Sequence, residues 1–351
     1  MNTLRFPVIG ILAGSKTENG ELLFSGDGKY FKQLQQSIHK SGGLCYVMTP
    51  ESFKASTGFL YFPSLKKWAL ADVPKPQAVY IRIPSRKEEK GEHFQGCLQK
   101  LKLQGVPCFN PFYFHKWEVW KALYNDSFLL PFLPPASLLE SEQQLYHWLN
   151  IYRSVYLKPA EKSKGKGILR VSLTNGFYYT ETIYEKKGPF SFQDLLKESE
   201  FSASAEKLIQ AEIHSDKIDG RKYDLRVLSV WNGIDYELTG IGVRQSDKQD
   251  VTTHIPAGGK LFPSEAIMDR IDVGLLKSLV QKTGTVLSKH YGEIGEFSMD
   301  IGRSHDGQYW IYEVNSRPMA FDEKDIQTKR IHHLKKLFTH LANNAKLSVV
   351  Q

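Results

Sequence analysis

The chain has 351 residues, and its content of 41% hydrophobic and 24% charged residues is typical of a folded globular protein of about two domains. Its three cysteines form no CxxC pair, which excludes a disulfide scaffold or a zinc module and favours a reducing compartment, and its short apolar runs predict no membrane span. A net charge of +8 fits nucleic acid or a basic cleft for a phosphorylated ligand, but the dispersed basic and aromatic residues predict no nucleic-acid partner.

The first 110 residues predict a small α/β domain, because short apolar strands alternate with helices. The apolar N-terminal patch contains Pro7, Gly10 and Gly14, so it indicates a first strand rather than a signal peptide. In chain order we expect strands and helices at Val8–Leu12, Tyr30–Lys40 (helix), Leu44–Thr49, Ala78–Ile83, Glu92–Gln104 (helix) and Pro107–Asn110.

From residue 111 onward, helices flank strands that pair in an antiparallel way, which predicts an α+β fold. Helices are expected at 116–124, 140–150, 274–290 and 331–345. Strands are expected at 154–158, 167–173, 176–182, 224–231, 236–244, 296–302 and 309–315.

The last two strands contain the strongest chemical signal. If Asp306 and Gly307 form a two-residue turn, Asp300 lies opposite Glu313, and alternation places both with Ser298 and Asn315 on a polar face. The opposite face is then apolar, with Phe297, Met299, Ile301, Trp310, Tyr312 and Val314.

Two opposed carboxylates repel unless a cation lies between them. Oxygen ligands from Asp300, Glu313 and Asn315 suit Mg²⁺, whereas the alternative is a solvated hairpin face. The same register places Arg317 opposite Glu296, where a plain ion pair is expected.

A second signal is the lysine- and glycine-rich segment 158–167. Its glycines allow the backbone to approach a phosphate and its lysines supply charge, although the segment also fits a solvated turn. It is not a Walker A loop, because GxxxxGK[ST] is absent and a strand follows.

Two arginines lie on predicted strands. Arg226 shares a strand face with Asp224, and Arg244 ends the following strand. They are either surface ion-pair partners or groups that stabilise charge on a transferred phosphoryl group.

Taken in this order, these segments resemble the ATP-grasp superfamily over residues 110–320. More narrowly, the whole chain resembles the YheC/YheD family of endospore coat-associated ATP-grasp proteins. The carrying motifs are VIGILAG, PQAVYIRIPSR, VPCFNPFYFHKWEVW, YLKPAEKSKGKGI and GEFSMDIGRSHDGQYWIYEVNSRP. The segment AEKSKGKG departs from the serine- or glycine-rich hairpin common in such families, which leaves its phosphate geometry open.

The resemblance implies an ATP-grasp fold of two α+β subdomains that grip ATP, preceded by a small α/β domain. The implied boundaries are 1–110, 111–208 for the subdomain with the phosphate-covering hairpin, and 209–351 for the subdomain with the Mg²⁺-binding hairpin.

The resemblance also implies the roles of individual residues. Arg226 and Arg244 would be catalytic, and Asp300, Glu313 and Asn315 would bind one or two Mg²⁺ ions, with Mn²⁺ as an alternative. The residues expected to bind ATP are Lys116, Lys158, Lys164, Gly165, Lys166, Gly167, Gln210, Ala211, Glu212 and Ile213.

The implied activity is that of a ligase that activates a carboxylate as an acyl phosphate for attack by an amine. Its unknown carboxylate and amine substrates would include a peptide or spore-coat component. The alternatives are a catalytically silent ATP-binding coat protein and a small-molecule kinase. The expected location is the cytoplasm of the mother cell, together with the endospore coat.

Overall fold

The computed structural model describes residues 7–161, 167–198, 206–247 and 249–347. The N-terminal part forms a six-stranded sheet that is parallel at its centre and antiparallel at one edge. Its elements are β1 (Val8–Leu12), β2 (Gly14–Glu18), β3 (Glu21–Ser25), α1 (Gly28–His39), β4 (Leu44–Met48), α2 (Pro50–Lys54), β5 (Thr57–Phe62), β6 (Lys67–Asp72), β7 (Ala78–Ile81), α3 (Arg86–Glu89), α4 (Glu92–Leu103) and β8 (Cys108–Phe109).

The strand order in this first sheet is β6-β5-β4-β1-β7-β8, and β2 and β3 form a separate hairpin. The predicted strands and helices of this part are present. The hairpins β2–β3 and β5–β6 were not predicted, because their short strands mix polar and aromatic residues and lack a strict alternation.

The middle of the chain forms a second, antiparallel sheet in the order β13-β12-β11-β10-β14-β9. Its helix α6 packs on this sheet through Leu145 and Leu149. The elements are α5 (Lys116–Tyr124), β9 (Ala136–Leu138), α6 (Glu142–Tyr152), β10 (Ser154–Pro159), β11 (Leu169–Thr174), β12 (Phe177–Glu181), β13 (Lys186–Phe190), α7 (Phe192–Lys197) and β14 (Lys207–Ala211).

The last part forms a third, antiparallel sheet in the order β18-β17-β16-β19-β20, with β15 paired to β16. Helix α9 begins at Lys324, earlier than the sequence predicts. The elements are β15 (Lys217–Ile218), β16 (Arg221–Trp231), β17 (Tyr236–Gln245), β18 (Lys260–Phe262), α8 (Val273–Tyr291), β19 (Glu296–Arg303), β20 (Tyr309–Asn315) and α9 (Lys324–Leu347).

Among the apolar cores of the described residues, two hold helices against the first and third sheets. One face of the third sheet packs on α5 and α8 through side chains such as Met299, Val227 and Leu279. Leu334 and Phe338 of α9 pack with side chains of the first sheet and α1, so α9 connects the first and third sheets. No helix among the described residues is long and apolar enough to cross a membrane.

A buried ionic cluster lies where these parts meet. Glu296 of β19 receives two hydrogen bonds from Arg330 of α9, at 2.7 and 2.8 Å, and both side chains are fully buried. Tyr80 donates its hydroxyl to the same carboxylate, and Arg82 lies 3.5 Å from it. The Arg330 guanidinium also stacks on the Tyr30 ring, 4.5 Å from its centroid. One carboxylate therefore ties the first sheet, the third sheet and α9 together.

Asn110 forms a second connection at this junction. Its side chain accepts hydrogen bonds from the backbone of Gly295 and Glu296 and donates to the carbonyl groups of Glu296 and Ser316. Asn110 has φ +56°, a left-handed conformation that Asn tolerates better than most residues. The end of the first sheet is thereby fixed to both ends of the β19–β20 hairpin.

We predict that Glu296→Gln lowers the free energy of unfolding by about 3 kcal/mol, because it leaves the charged Arg330 buried without its carboxylate. Urea unfolding followed by circular dichroism measures this change. The matched control is Glu18→Gln, whose exposed pair with Lys16 contributes less than about 1 kcal/mol. Equal losses in both variants would contradict the role assigned to the cluster.

Candidate active site

The cleft is built on the face of the third sheet opposite its apolar core. On this face Arg226 lies between Gly242 and Asp300, and Asp300 lies opposite Glu313. Alternate residues add a row with Arg244 and Asp224 on one side and a row with Ser298 and Asn315 on the other. The sheet therefore presents an alternation of cationic and anionic side chains to the cleft.

The predicted pairing of Asp300 with Glu313 and of Ser298 with Asn315 is confirmed, but the predicted turn is wrong. Ser304, not His305, pairs with Gln308, so the loop has three residues and only Gly307 has a positive φ, +91°. A two-residue Asp-Gly turn of type I′ would require positive φ at both residues. The strands therefore leave the turn in a register shifted by one residue.

A β-bulge at Tyr312 restores the predicted register at the site. Ile301 pairs with Ile311 and Asp300 with Glu313, which leaves Tyr312 as the extra residue. The prediction that Trp310 and Tyr312 lie on the apolar face is consequently wrong. Tyr309 and Ile311 take part in the core, whereas Tyr312 lines the cleft and bonds to the Ser215 hydroxyl at 3.0 Å.

The bulge requires a glycine on the neighbouring strand. A Cβ atom at Gly302 would come within 2.2 Å of the Tyr312 ring. Because residue 302 has no side chain, Tyr312 can lie across β19 and bond to Ser215, in the segment before β15.

Two cavities open from this face and share one boundary. The inner cavity, of about 150 Å³, lies against the second sheet and is lined by Lys158, Gln210, Ala211 and Ile213. The outer cavity, of about 720 Å³, lies against the first sheet and is lined by residues that include Arg226 and Lys116. The residues common to both cavities are Arg244, His254, Asp300, Glu313 and Asn315.

The three predicted metal ligands therefore lie together at the boundary of the two cavities. Two carboxylates and an amide oxygen form an all-oxygen donor set that leaves positions for phosphate and water oxygens, as Mg²⁺ prefers. The described residues contain no group of three or more His, Cys, Asp or Glu side chains that could hold a metal ion by themselves. The set thus fits a cation that is shared with a ligand.

Lysines compensate the charge at this boundary. The ammonium group of Lys116 lies 2.8 Å from Glu313. Burial would raise the pKa of Glu313, but Lys116 and Lys158 together lower it below its usual range. Glu313 is therefore ionised at neutral pH and available to a cation.

Lys158 has an unusual environment. Its ammonium group donates to Gln210, and burial, together with the nearby Lys116, lowers the pKa of Lys158 to about 8. An anion in the inner cavity would favour its charged form.

Buried charges also perturb the sheet residues. Burial raises the pKa of Asp300, and Glu313 adds to this effect while Arg244, 4.0 Å away, opposes it. Burial and the neighbouring Arg244 lower the pKa of Arg226 to about 10. Arg226 donates to the Met319 carbonyl at 3.1 Å and stacks on Phe321, 4.2 Å from the ring centroid.

Some predicted residues lie elsewhere. Glu212 does not line either cavity, because its carboxylate is held by Lys222, Arg170 and the Tyr156 hydroxyl. Gly167 adopts φ +74° next to Ile168, which lines the inner cavity. The predicted residues Lys164, Gly165 and Lys166 lie outside the described residues.

The predicted ion pair between Arg317 and Glu296 is wrong. Arg317 pairs with Glu89 at 2.7 Å, and Glu296 pairs with Arg330. A hairpin register predicts which residues lie opposite each other, but it does not predict contacts outside the hairpin. Arg317 donates to the carbonyl group of Ile83, more than 200 residues away in the chain, and Glu296 accepts from Arg330, about 30 residues away.

Some residues of the cleft were not predicted from the sequence. Lys222 shares the alternating face of β16 with Asp224 and Arg226, so the period of the strand was a usable signal. Thr253 lies in the loop before β18 and donates its hydroxyl to Asp224. Loops carry no comparable periodic signal, which explains why this contact was missed.

Comparisons with known proteins show which family the sequence matches. A family model for YheC/D like ATP-grasp matches residues 105–344. The endospore coat-associated protein YheD of Bacillus subtilis (strain 168) is 30% identical over 329 residues, which cover 89% of this chain and 72% of that protein.

Solved structures share the fold at low identity. D-alanyl-alanine synthetase A from Vibrio cholerae O1 biovar eltor str. N16961 matches with a TM-score of 0.56 and 12% identity, over 97% of this chain and 99% of that one. The ATP-grasp ligase PsnB, in complex with a precursor peptide and AMPPNP, matches with a TM-score of 0.52 and 12% identity over the same shares. The fold is the α+β ATP-grasp fold.

Asp224 provides a test of the cleft electrostatics. Burial and the nearby Asp300 raise the pKa of Asp224 from 3.8 to about 7, so the folded chain retains a proton that the unfolded chain releases. Wild-type stability then falls as the pH rises through this window. We predict that Asp224→Asn gains about 2 kcal/mol relative to wild type between about pH 5 and pH 8.

The measurement is urea unfolding at both pH values without nucleotide or metal. Asp322→Asn, which replaces an exposed carboxylate, is the control and should show no such gain. A pH-independent difference between Asp224→Asn and wild type would contradict the electrostatic account.

Proposed function

The chain belongs to the YheC/D-like ATP-grasp family, and from this premise we propose that it is an ATP- and Mg²⁺-dependent ligase that joins a carboxylate to an amine through an acyl phosphate. One observation carries the proposal. Asp300, Glu313 and Asn315 lie on the boundary between an inner cavity with two lysines nearby and an outer cavity lined by arginines. A triphosphate that crosses this boundary would present its terminal phosphate to an acceptor in the outer cavity.

ATP would occupy the inner cavity. Gln210, Ala211 and Ile213 would contact the adenine edge and Lys158 the phosphates, with Lys116 approaching from the outer side. Lys164, Gly165, Lys166 and Gly167 would close over the nucleotide, and Glu212 would position Lys222 and the strand end rather than bind ribose. Asp300, Glu313 and Asn315 would hold one or two Mg²⁺ ions, and Mn²⁺ has the same ligand preference.

The reaction would proceed in two steps. An oxygen of the acceptor carboxylate attacks the γ-phosphorus, the bond from that phosphorus to its bridging oxygen breaks, and ADP leaves with the electron pair. The amine then attacks the carbonyl carbon, phosphate leaves, and the amine gives up its proton as the amide forms.

The chain's own residues would supply position and charge. Arg226 and Arg244 would stabilise the charge on the transferred phosphoryl group and orient the carboxylate. Asp300, Glu313 and Asn315 would hold Mg²⁺, which would supply positive charge to offset that of the phosphate oxygens. No protein nucleophile is required, which agrees with the absence of a Ser or Cys triad pattern in the sequence.

The wider setting of the activity is also a proposal. The name of the B. subtilis relative supports an association with the endospore coat, and we propose that the protein acts in the mother-cell cytoplasm. The complex of PsnB supports a peptide as one class of substrate. We propose that residues 1–110, 111–208 and 209–351 act as three units, with the first forming one wall of the acceptor site.

The proposed function can be tested by nucleotide binding. We expect wild type to bind ATP in a Mg²⁺-dependent way by calorimetry, and Glu313→Gln to weaken this binding by about tenfold or more, because one negatively charged ligand is lost. The control, Glu265→Gln, changes an exposed carboxylate and should bind as wild type does. If wild type binds no ATP, the enzyme proposal fails and an ATP-grasp coat scaffold remains.

The proposed reaction can be tested by ADP release. We expect ADP release to require both a carboxylate and an amine when pooled compounds of each class are tested separately and together. ADP release with a hydroxyl compound alone would identify a kinase instead. Nucleotide binding without any ADP release across the pools would favour the silent coat protein.

A further inference from the structure

The outer cavity has an arginine-rich wall that the nucleotide and metal chemistry does not use. Its side toward the first sheet is formed by residues that directly follow β7, among them Arg82 and Arg86. Arg317, from the segment after β20, lines the same wall. These arginines come from the two segments that the Glu296 cluster fixes relative to each other.

Arg86 differs from the other two arginines of this wall, because it forms no ion pair with a carboxylate among the described residues and can therefore bind one from a ligand. Its guanidinium donates to the carbonyl groups of Phe114, at 2.6 Å, and Tyr113, at 3.4 Å. Among the described residues, no carboxylate lies within 4 Å of it. The two nearby acidic residues have other partners, since Glu89 pairs with Arg317 and Glu161 with Lys90.

Arg226, on the sheet side of the same cavity, has the same property. It bonds to a carbonyl group and stacks on an aromatic ring, and within the described parts of the chain no carboxylate lies within 4 Å of it. By contrast, Arg82 and Arg317 have carboxylate partners in Glu296 and Glu89. Among the described residues, the cavity thus contains two arginines on two walls that form hydrogen bonds to carbonyl groups and no ion pair with a carboxylate.

The acidic side chains near these two arginines are exposed or are engaged with other basic groups. Asp27 and Glu161 line the cavity but are exposed at its rim. Asp300 and Glu313 face Arg244 and Lys116 and would be further neutralised by a bound cation. A ligand that fills the outer cavity therefore gains by carrying negative charge at two places.

We propose that the acceptor carries two carboxylates, one activated beside Arg226 and a second bound by Arg86, so that the substrate is an acidic amino acid or a glutamate- or aspartate-rich peptide segment. This inference rests on the proposed function of the same site. The planar guanidinium of Arg86 can present two parallel N–H groups to a carboxylate, which lysine cannot do. Its two carbonyl contacts hold it in place before the ligand arrives.

The test measures peptide binding to the whole chain by calorimetry, with Mg²⁺ and a non-hydrolysable ATP analogue present. The probes are tetraglutamate and tetraglutamine. We expect tetraglutamate to bind at least about tenfold more tightly, and Arg86→Gln to remove about tenfold of its affinity while nucleotide affinity is unchanged. Lys87→Gln, an exposed neighbour that does not line the cavity, is the matched control and should bind as wild type does.

Arg86→Lys and thermal melting separate binding from folding. Lysine keeps the charge but not the fork, so we expect an intermediate affinity at an unchanged melting temperature. This inference would be overturned, and the proposed function left intact, if the nucleotide binds but the two peptides bind with equal affinity. The same holds if the nucleotide binds but Arg86→Gln leaves the affinity for tetraglutamate unchanged. Failure of nucleotide binding itself would overturn the proposed function.

Discussion

The position of the cleft depends on one buried carboxylate. Glu296 begins the strand that contains Asp300, and its partners Arg330 and Tyr80 belong to the last helix and the first sheet. Such a group is costly to bury, and its partners offset that cost only when all of them are in place. Arg330 also donates to the carbonyl groups of Pro318 and Met319, which fixes the segment after Asn315. The walls of the outer cavity are thus held at a defined separation by charge pairing that works only in the assembled fold.

The cleft also depends on pairing between buried acidic and basic side chains, over shorter distances. Each acidic side chain in the cleft has a basic side chain beside it: Asp224 lies opposite Arg244, Asp300 beside Arg226, and Glu313 against Lys116. Lys116 thereby occupies part of the place that a cation would take. Because the compensating groups are built in, the carboxylates are already close together before any ligand binds, and little rearrangement is needed to accept one.

Much of this could be predicted from the sequence, for physical reasons that apply locally. Alternation fixed the polar face of β16, β19 and β20, and hence the meeting of Asp300, Glu313 and Asn315. The predicted register was right at the site because two departures cancel: a three-residue loop shifts the strands by one residue, and the bulge at Tyr312 shifts them back. Contacts such as Arg330 with Glu296 and Thr253 with Asp224 could not be predicted, since they depend on packing between distant parts of the chain.

The compensated hairpin also constrains how this segment can change during evolution. Removal or insertion of one residue within the paired part of β20, between the loop and the bulge, would exchange the two faces along part of the hairpin. Either change would turn polar side chains toward the core that contains Ile311 and Met299. Changes of length should therefore be tolerated in the loop or at the bulge, where no paired residue is displaced, and not within the paired parts of β19 and β20.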